Sequence, residues 1–375
     1  MSKFDAIRPF YDAEVNDAIL SSIHHPMMKA LMDFAFPDTD ESVWKEQLNR
    51  THSIRDFQIN FAYRAVKKVL EKTSDGVTTS GFEKLEPNTA YLFISNHRDI
   101  ILDTSILNVC LHDYKQILTA SAIGDNLVKK DFLLCLSRLN RNFIVQRGLP
   151  PRELLESSKL MSEYIKHLIC RENRSVWIAQ REGRTKDGND ATHTGVLKML
   201  AMANDESNLM DYFKKVKLLP VSISYEYDPT DVLKMPQLMA EANDEIYVKQ
   251  KNEDFKTLLS GIIGQKKRIH LHVGDFLDNE LDTIAKETTN NNKQIQLLAQ
   301  ALDKSIHQSY KLWPTNYIAY DLLYNTQKYK DFYTENEKLL FERRLEMRID
   351  THNEVMREGF LAMYANPVIN KYKYA

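Results

Sequence analysis

Cysteine is scarce: the 375 residues hold three, Cys110, Cys135 and Cys170, and no two of them stand at metal-ligand or redox spacing. Each falls in an apolar stretch, which reads as a reduced, buried thiol in a cytoplasmic compartment and argues against a disulfide framework. Charge of one sign is lacking too. Lys and Arg number 50 against 52 Asp and Glu, a net of −2, so the broad positive field of a nucleic-acid binder is absent and any hold on phosphate must come from local clusters. No uncharged apolar run reaches the roughly 20 residues that cross a bilayer, and the start, MSKFDAIRPFYDAEVND, has neither the basic head nor the apolar run of a signal peptide. Work on a lipid is therefore expected at the membrane's surface. The sequence also has no Gly-x-Ser-x-Gly elbow, nucleotide-phosphate loop or dinucleotide fingerprint, which sets aside the chemistries those motifs serve.

What is present suits a large buried core, with 43% hydrophobic residues. Residues 1–87 read as an N-terminal helical region, with an apolar patch from Pro26 to Phe36 and a helix from Ile54 to Lys72. Residues 88–284 alternate short apolar runs with helical segments, the pattern of an α/β domain with a mixed, largely parallel sheet flanked by helices. Strands are expected at Ala90–Ser95, Gln116–Thr119, Asn142–Gln146, Ser175–Gln180, Lys217–Ser224 and Arg268–Val273. The clearest helices are Ile101–Leu111, Pro151–Cys170 and Thr194–Ala203. Residues 285–375 read as a C-terminal helical extension whose role the residues do not disclose.

Three segments carry candidate chemistry. The first, Phe93-Ile-Ser-Asn-His-Arg-Asp-Ile-Ile-Leu-Asp103, sets a polar cluster between an apolar strand and an apolar helix, where α/β sheets collect catalytic groups. His97 could take a hydroxyl proton, with a carboxylate behind its ring fixing the tautomer; either Asp103 or Asp99 could be that carboxylate. Alone, the segment also reads as an ordinary strand end, with Asp99 capping the next helix. The second segment ends a strand at Arg147, whose guanidinium could hold a phosphate in a two-point grip. The third runs from Trp177 to Gly188 and places Arg181, Arg184 and Lys186 in a loop with Gly183 and Gly188, flexible enough to bend round a ligand.

Together the segments resemble the glycerolipid acyltransferase family, which includes the glycerol-3-phosphate and lysophosphatidate acyltransferases. Asn96-His97 with Asp103 is similar to the family's first block, and Phe143-Ile-Val-Gln-Arg147 to its second. Glu182-Gly183-Arg184-Thr185-Lys186-Asp187-Gly188 resembles the third, and Leu218-Leu-Pro220-Val-Ser-Ile-Ser the fourth. The likeness spans about residues 88–278. Two departures stand out: five residues instead of four separate His97 from Asp103, and the third block lacks the residue usually found between Gly and Arg. One added residue of regular helix would turn the carboxylate by roughly 100°, so the turn must absorb it or Asp99 must replace Asp103.

The resemblance implies direct transfer of a fatty acyl group from acyl-CoA or acyl carrier protein to a hydroxyl of glycerol-3-phosphate or lysophosphatidate. His97 would be the base and Asp103 its partner. Arg147 and the loop residues Glu182, Gly183, Arg184, Thr185 and Lys186 would bind the acceptor, and Pro220 would belong to the acyl pocket. No metal or resident cofactor is expected, and His270 and His272 are read as outward polar positions of a strand. The expected partners are the thioester donor, a phosphate-bearing lipid precursor and a membrane surface. The expected location is cytoplasmic, free or held on the membrane's inner face. Other lipid acceptors, and a lipid-binding scaffold without catalysis, are the alternatives.

Overall fold

A computed structural model describes residues 2–374. Seven strands form one sheet: β1 (Ser74–Ser80), β2 (Leu92–Ser95), β3 (Thr119–Gly124), β4 (Asn142–Val145), β5 (Ser175–Ala179), β6 (Leu218–Tyr225) and β7 (Lys267–Val273), in the order β1-β7-β6-β2-β5-β3-β4. The β6–β7 pair is antiparallel and every other neighbouring pair is parallel. The fold is thus α/β with a mixed, mostly parallel sheet, as expected from the sequence. β2 is central, between β5 and β6, and all four of its residues are buried. From β2 the chain crosses over β5 to reach β3, whereas β6 lies on the other side. Such a reversal opens a crevice at the strands' carboxyl ends.

Alternation along the strands divides the core. Leu92, Ile94, Val176 and Ile178 face the Pro151–Cys170 and Asn291–Ser309 helices, while Phe93, Trp177, Val221, Ile223 and Tyr225 face the Leu102–Asp113 and Tyr63–Thr73 helices. A separate apolar cluster joins the N-terminal helices to Asp131–Leu139, and another lies among the C-terminal helices.

Several local expectations change. β1 lies inside the span read as purely helical; its sequence, Ser-Asp-Gly-Val-Thr-Thr-Ser, carries one aliphatic residue and gives little strand signal. β3 begins where the expected strand ends, because Thr-Ala-Ser-Ala-Ile-Gly is too small and polar to stand out from its flanks. The Ile54–Thr73 segment contains a π-helical turn at Gln58–Ala62, which shifts its apolar face midway. Cys110 is buried as expected, but Cys170, the last residue of its helix, is exposed and Cys135 is intermediate. Among the described residues no helix is long and apolar enough to cross a membrane.

Candidate active site

β2 ends at Ser95, and the next residue locks the site to the sheet. Asn96 is fully buried; its side-chain amide donates to the Ile223 carbonyl at 2.9 Å and its oxygen accepts from the Ile223 amide at 2.8 Å. A side chain here completes the pairing with β6 while the backbone turns away, which releases His97 into the crevice.

The ring of His97 has Nδ1 2.8 Å from Asp103 Oδ2 and stands edge-on to Trp177, with centroids 5.4 Å apart. Asp103 is fully buried and also accepts from the backbone amides of Arg98, at 2.7 Å, and Asp99, at 3.1 Å, and from the Tyr225 hydroxyl, at 2.9 Å. Four donors on two oxygens use the carboxylate purely as an acceptor. The hydrogen at His97 Nδ1 is then fixed toward Asp103, leaving Nε2 with its lone pair. Asp99 does the other job: its Oδ1 accepts from the amides of Ile101, at 2.9 Å, and Leu102, at 2.8 Å, at the start of the following helix. Burial, and then the neighbouring Asp103 carboxylate, push the Asp99 carboxyl above its usual range. The added residue is absorbed in the turn, since the helix begins only at Leu102 and Asp103 lies in its first turn.

The 181–190 loop is tied to this turn. The Thr185 amide donates to the His97 carbonyl at 3.2 Å, and the Thr185 hydroxyl to Asp190 Oδ1 at 2.6 Å. Asp190 Oδ2 takes the buried Arg98 guanidinium at 2.5 Å. Thr185 and Arg98 are buried on these partners, so both brace the loop. Gly188 adopts φ +75°, and an added Cβ would stand 2.1 Å from the Met363 carbonyl oxygen, a close approach that only glycine permits.

Arg184 donates to the Thr230 hydroxyl at 3.1 Å. Lys186 sits near Arg184, Lys234 and Lys249; burial first, and then these like charges, lower its pKa to about 7. Lys234 is itself buried against Asp228, whereas Lys249 pairs with Asp254 at 2.6 Å. Arg147 and Glu182 form an ion pair across neighbouring loops.

One cavity of about 1580 Å³ joins these groups, larger than the roughly 300–1,000 Å³ of an ordinary small-ligand pocket. His97, Arg147, Glu182, Gly183, Arg184 and Lys186 line its polar part, and Met28, Phe34, Phe61, Val69, Leu258 and Ile262 its apolar part. The Pro26–Ala35 helix and the Ile54–Thr73 segment therefore contribute to the same space as the histidine. Pro220 does not line it, and the expectation that it does is corrected. It belongs to the opposite face of β6, where it pairs with Ile94 and packs against Gly274 near Ser305.

Asn96 stands in the first block, beside the histidine, whereas nothing in the sequence marks Tyr225, Asp190, Lys234 or Lys249; the fold alone brings these four near. His270 and His272 are half-buried on β7, and the Ser80 hydroxyl bridges their rings at 3.0 and 2.7 Å. No cluster of three or more metal-ligating side chains occurs among the described residues.

The match that bears on this geometry is to the Acyltransferase family model, over residues 76–224. Residues 76–224 are thus similar to the acyltransferase family. That span runs from β1 to β6 and includes His97, Asp103, Arg147 and the whole 181–190 loop. Among solved structures the chain is similar to the 1-acyl-sn-glycerophosphate (LPA) acyltransferase PlsC from Thermotoga maritima, at 12% identity and a TM-score of 0.38, over 80% of this chain and 97% of that one. No curated protein matches it. Within that span the histidine and its carboxylate stand at the carboxyl end of the central strand, between a cationic loop and an apolar cleft.

Proposed function

We propose that the protein transfers a fatty acyl group from an acyl-CoA or acyl carrier protein thioester to a hydroxyl of glycerol-3-phosphate or lysophosphatidate, with His97 as general base. The observation that carries this reading is that one cavity holds His97 between an apolar cleft and unsaturated positive charge. An acyl chain suits the first side and a phosphate the second.

Nε2 of His97 takes the proton as the acceptor oxygen attacks the thioester carbon. Asp103 stabilises the imidazolium that forms, and the proton then leaves with the thiolate as the carbonyl re-forms. No acyl-enzyme is required, and the buried Cys110 thiol, whose pKa burial pushes up to about 12, is a poor nucleophile. Arg184, Lys186 and Lys249 are suited to the acceptor phosphate. Arg147 would join them by exchanging Glu182 for the ligand, as charge-assisted pairs permit.

The test is incubation of purified protein with radiolabelled palmitoyl-CoA or palmitoyl-acyl carrier protein and either acceptor. Labelled lysophosphatidate or phosphatidate should form and should vanish in His97→Ala while the circular dichroism spectrum is kept. Transfer only to acceptors without phosphate would reject the acceptor assignment, and full activity in His97→Ala would reject the mechanism.

A further inference from the structure

Ile246 and Val248 are 92% and 77% exposed, two of the three most exposed large apolar side chains among the described residues. They are neighbours on one short loop, 243–252, between the Asp231–Ala242 and Glu253–Ile263 helices. The residue between them turns inward, with the Tyr247 hydroxyl donating to Glu253 at 2.5 Å. The loop is also held at its base. The Gln250 amide donates to Glu253 at 2.9 Å, Lys249 pairs with Asp254, and Asp254 accepts from Asn126 at 3.0 Å. A braced loop that projects two aliphatic side chains into water carries a solvation cost that ordinary surface loops avoid.

Its position gives that cost a use. Glu241 and Lys249, which flank the tip in sequence, both line the cavity, and so do Leu154, Leu259 and Ile263, which are respectively 48%, 46% and 59% exposed. The cavity mouth thus bears apolar side chains on two further helices beside the loop. We infer that this rim is a bilayer-docking surface, in which Ile246 and Val248 enter the acyl region of one leaflet and the apolar cleft opens toward it. The occupant is a lipid surface because the apolar lining continues from cleft to rim. This inference rests on the reading of that cleft as an acyl-chain site.

The charges around the tip set the kind of attraction. Between 241 and 256 the acids Glu241, Asp244, Glu245, Glu253 and Asp254 face the bases Lys249, Lys251 and Lys256. That balance does not favour an anionic membrane, so the hold is apolar and should survive salt.

Co-sedimentation of the full chain with dioleoylphosphatidylcholine vesicles tests it. Binding is expected at 0.1 M and 1 M NaCl alike, with at least a tenfold loss in Ile246→Ser/Val248→Ser. Activity of that variant on an acceptor in free solution should be unchanged, because neither side chain lines the cavity. No binding to these vesicles, or equal binding by the double variant, would overturn the docking surface; a rim that instead grips a protein would give that first result. Neither outcome depends on the transfer reaction, so failure of the docking surface and failure of the proposed activity are told apart.

Discussion

Four donors meet at Asp103, but they do not contribute alike. The two amides and Tyr225 hold the carboxylate in place, whereas only the bond to His97 sets the tautomer. Asp103→Asn should therefore keep the fold and lower kcat by about 10³–10⁴, since a neutral amide cannot stabilise the imidazolium as the carboxylate does. Asp99→Asn keeps the oxygen that caps the Leu102 helix and should lower kcat by less than about tenfold. Steady-state assays of the pair decide which aspartate serves His97; a larger loss in Asp99→Asn would reverse the assignment. Lys186 supplies a pH dependence at the same scale. Its pKa is lowered to about 7, so it is charged below that pH and neutral above. The KM for a phosphate-bearing acceptor should climb as pH rises through 7, and Lys186→Arg, which stays charged, should flatten that rise. Linkage gives the matching sign for stability: between about 7 and the ordinary lysine range the unfolded chain binds the extra proton, so this group's contribution rises with pH there. The histidine and the loop cations were legible in the sequence because each follows an apolar strand within a few residues. Lys249 was not, since nothing in a charged stretch between two helices says which cation turns toward a cavity.

Elements were legible where burial on both faces or a long amphipathic repeat wrote a strong pattern. Pro151–Cys170 has the bounds its sequence suggests, with Pro151 at the first helical position. β5 and β6 follow from near-continuous apolar runs, as buried parallel strands do. β1 and β3 were obscured because pairing with β7 and with β4 and β5, and not side-chain pattern, holds them in the sheet. Pro220 misled for a related reason. Its place in β6 was readable, but strand side chains alternate between faces, and only the topology says which face meets the cleft. The 181–190 loop is the element whose integrity matters most to the site. Its Asp190–Arg98 pair is buried, with side chains 4% and 6% exposed. Asp190→Ala leaves the guanidinium uncompensated and should cost about 3–5 kcal/mol by chemical denaturation. The cost should come with loss of activity because Thr185, which the same carboxylate holds, bonds the His97 carbonyl. A loss below about 1 kcal/mol would show that the loop is held by other contacts.

At the scale of the whole molecule, the C-terminal helices act as a wall behind the site. The Asn366 amide donates to the Asp187 carbonyl at 2.8 Å, and the Met363 carbonyl abuts Gly188. The Tyr364 hydroxyl donates to Asp231 at 3.0 Å and accepts from the Asp228 amide at 3.0 Å. Arg344 and Arg348 both reach Asp231 at 2.6 Å, and that carboxylate is fully buried. Asp231 opens the helix that leads to the 243–252 loop, and Asp228 holds Lys234 beside the cationic pocket. The helical tail therefore touches the 181–190 loop directly and the start of the helix that leads to the 243–252 loop, though it lies outside the span matched by the family model. Arg344→Ala strips Asp231 of one of its two guanidinium partners in a buried setting. Stability should fall by about 3–5 kcal/mol, or by less to the extent that Arg348 compensates. Because the lesion lies behind the pocket, the acceptor KM should rise while the KM for the thioester donor stays near its original value. Equal changes in both would mean that the tail supports the domain generally, without a particular bearing on the acceptor side.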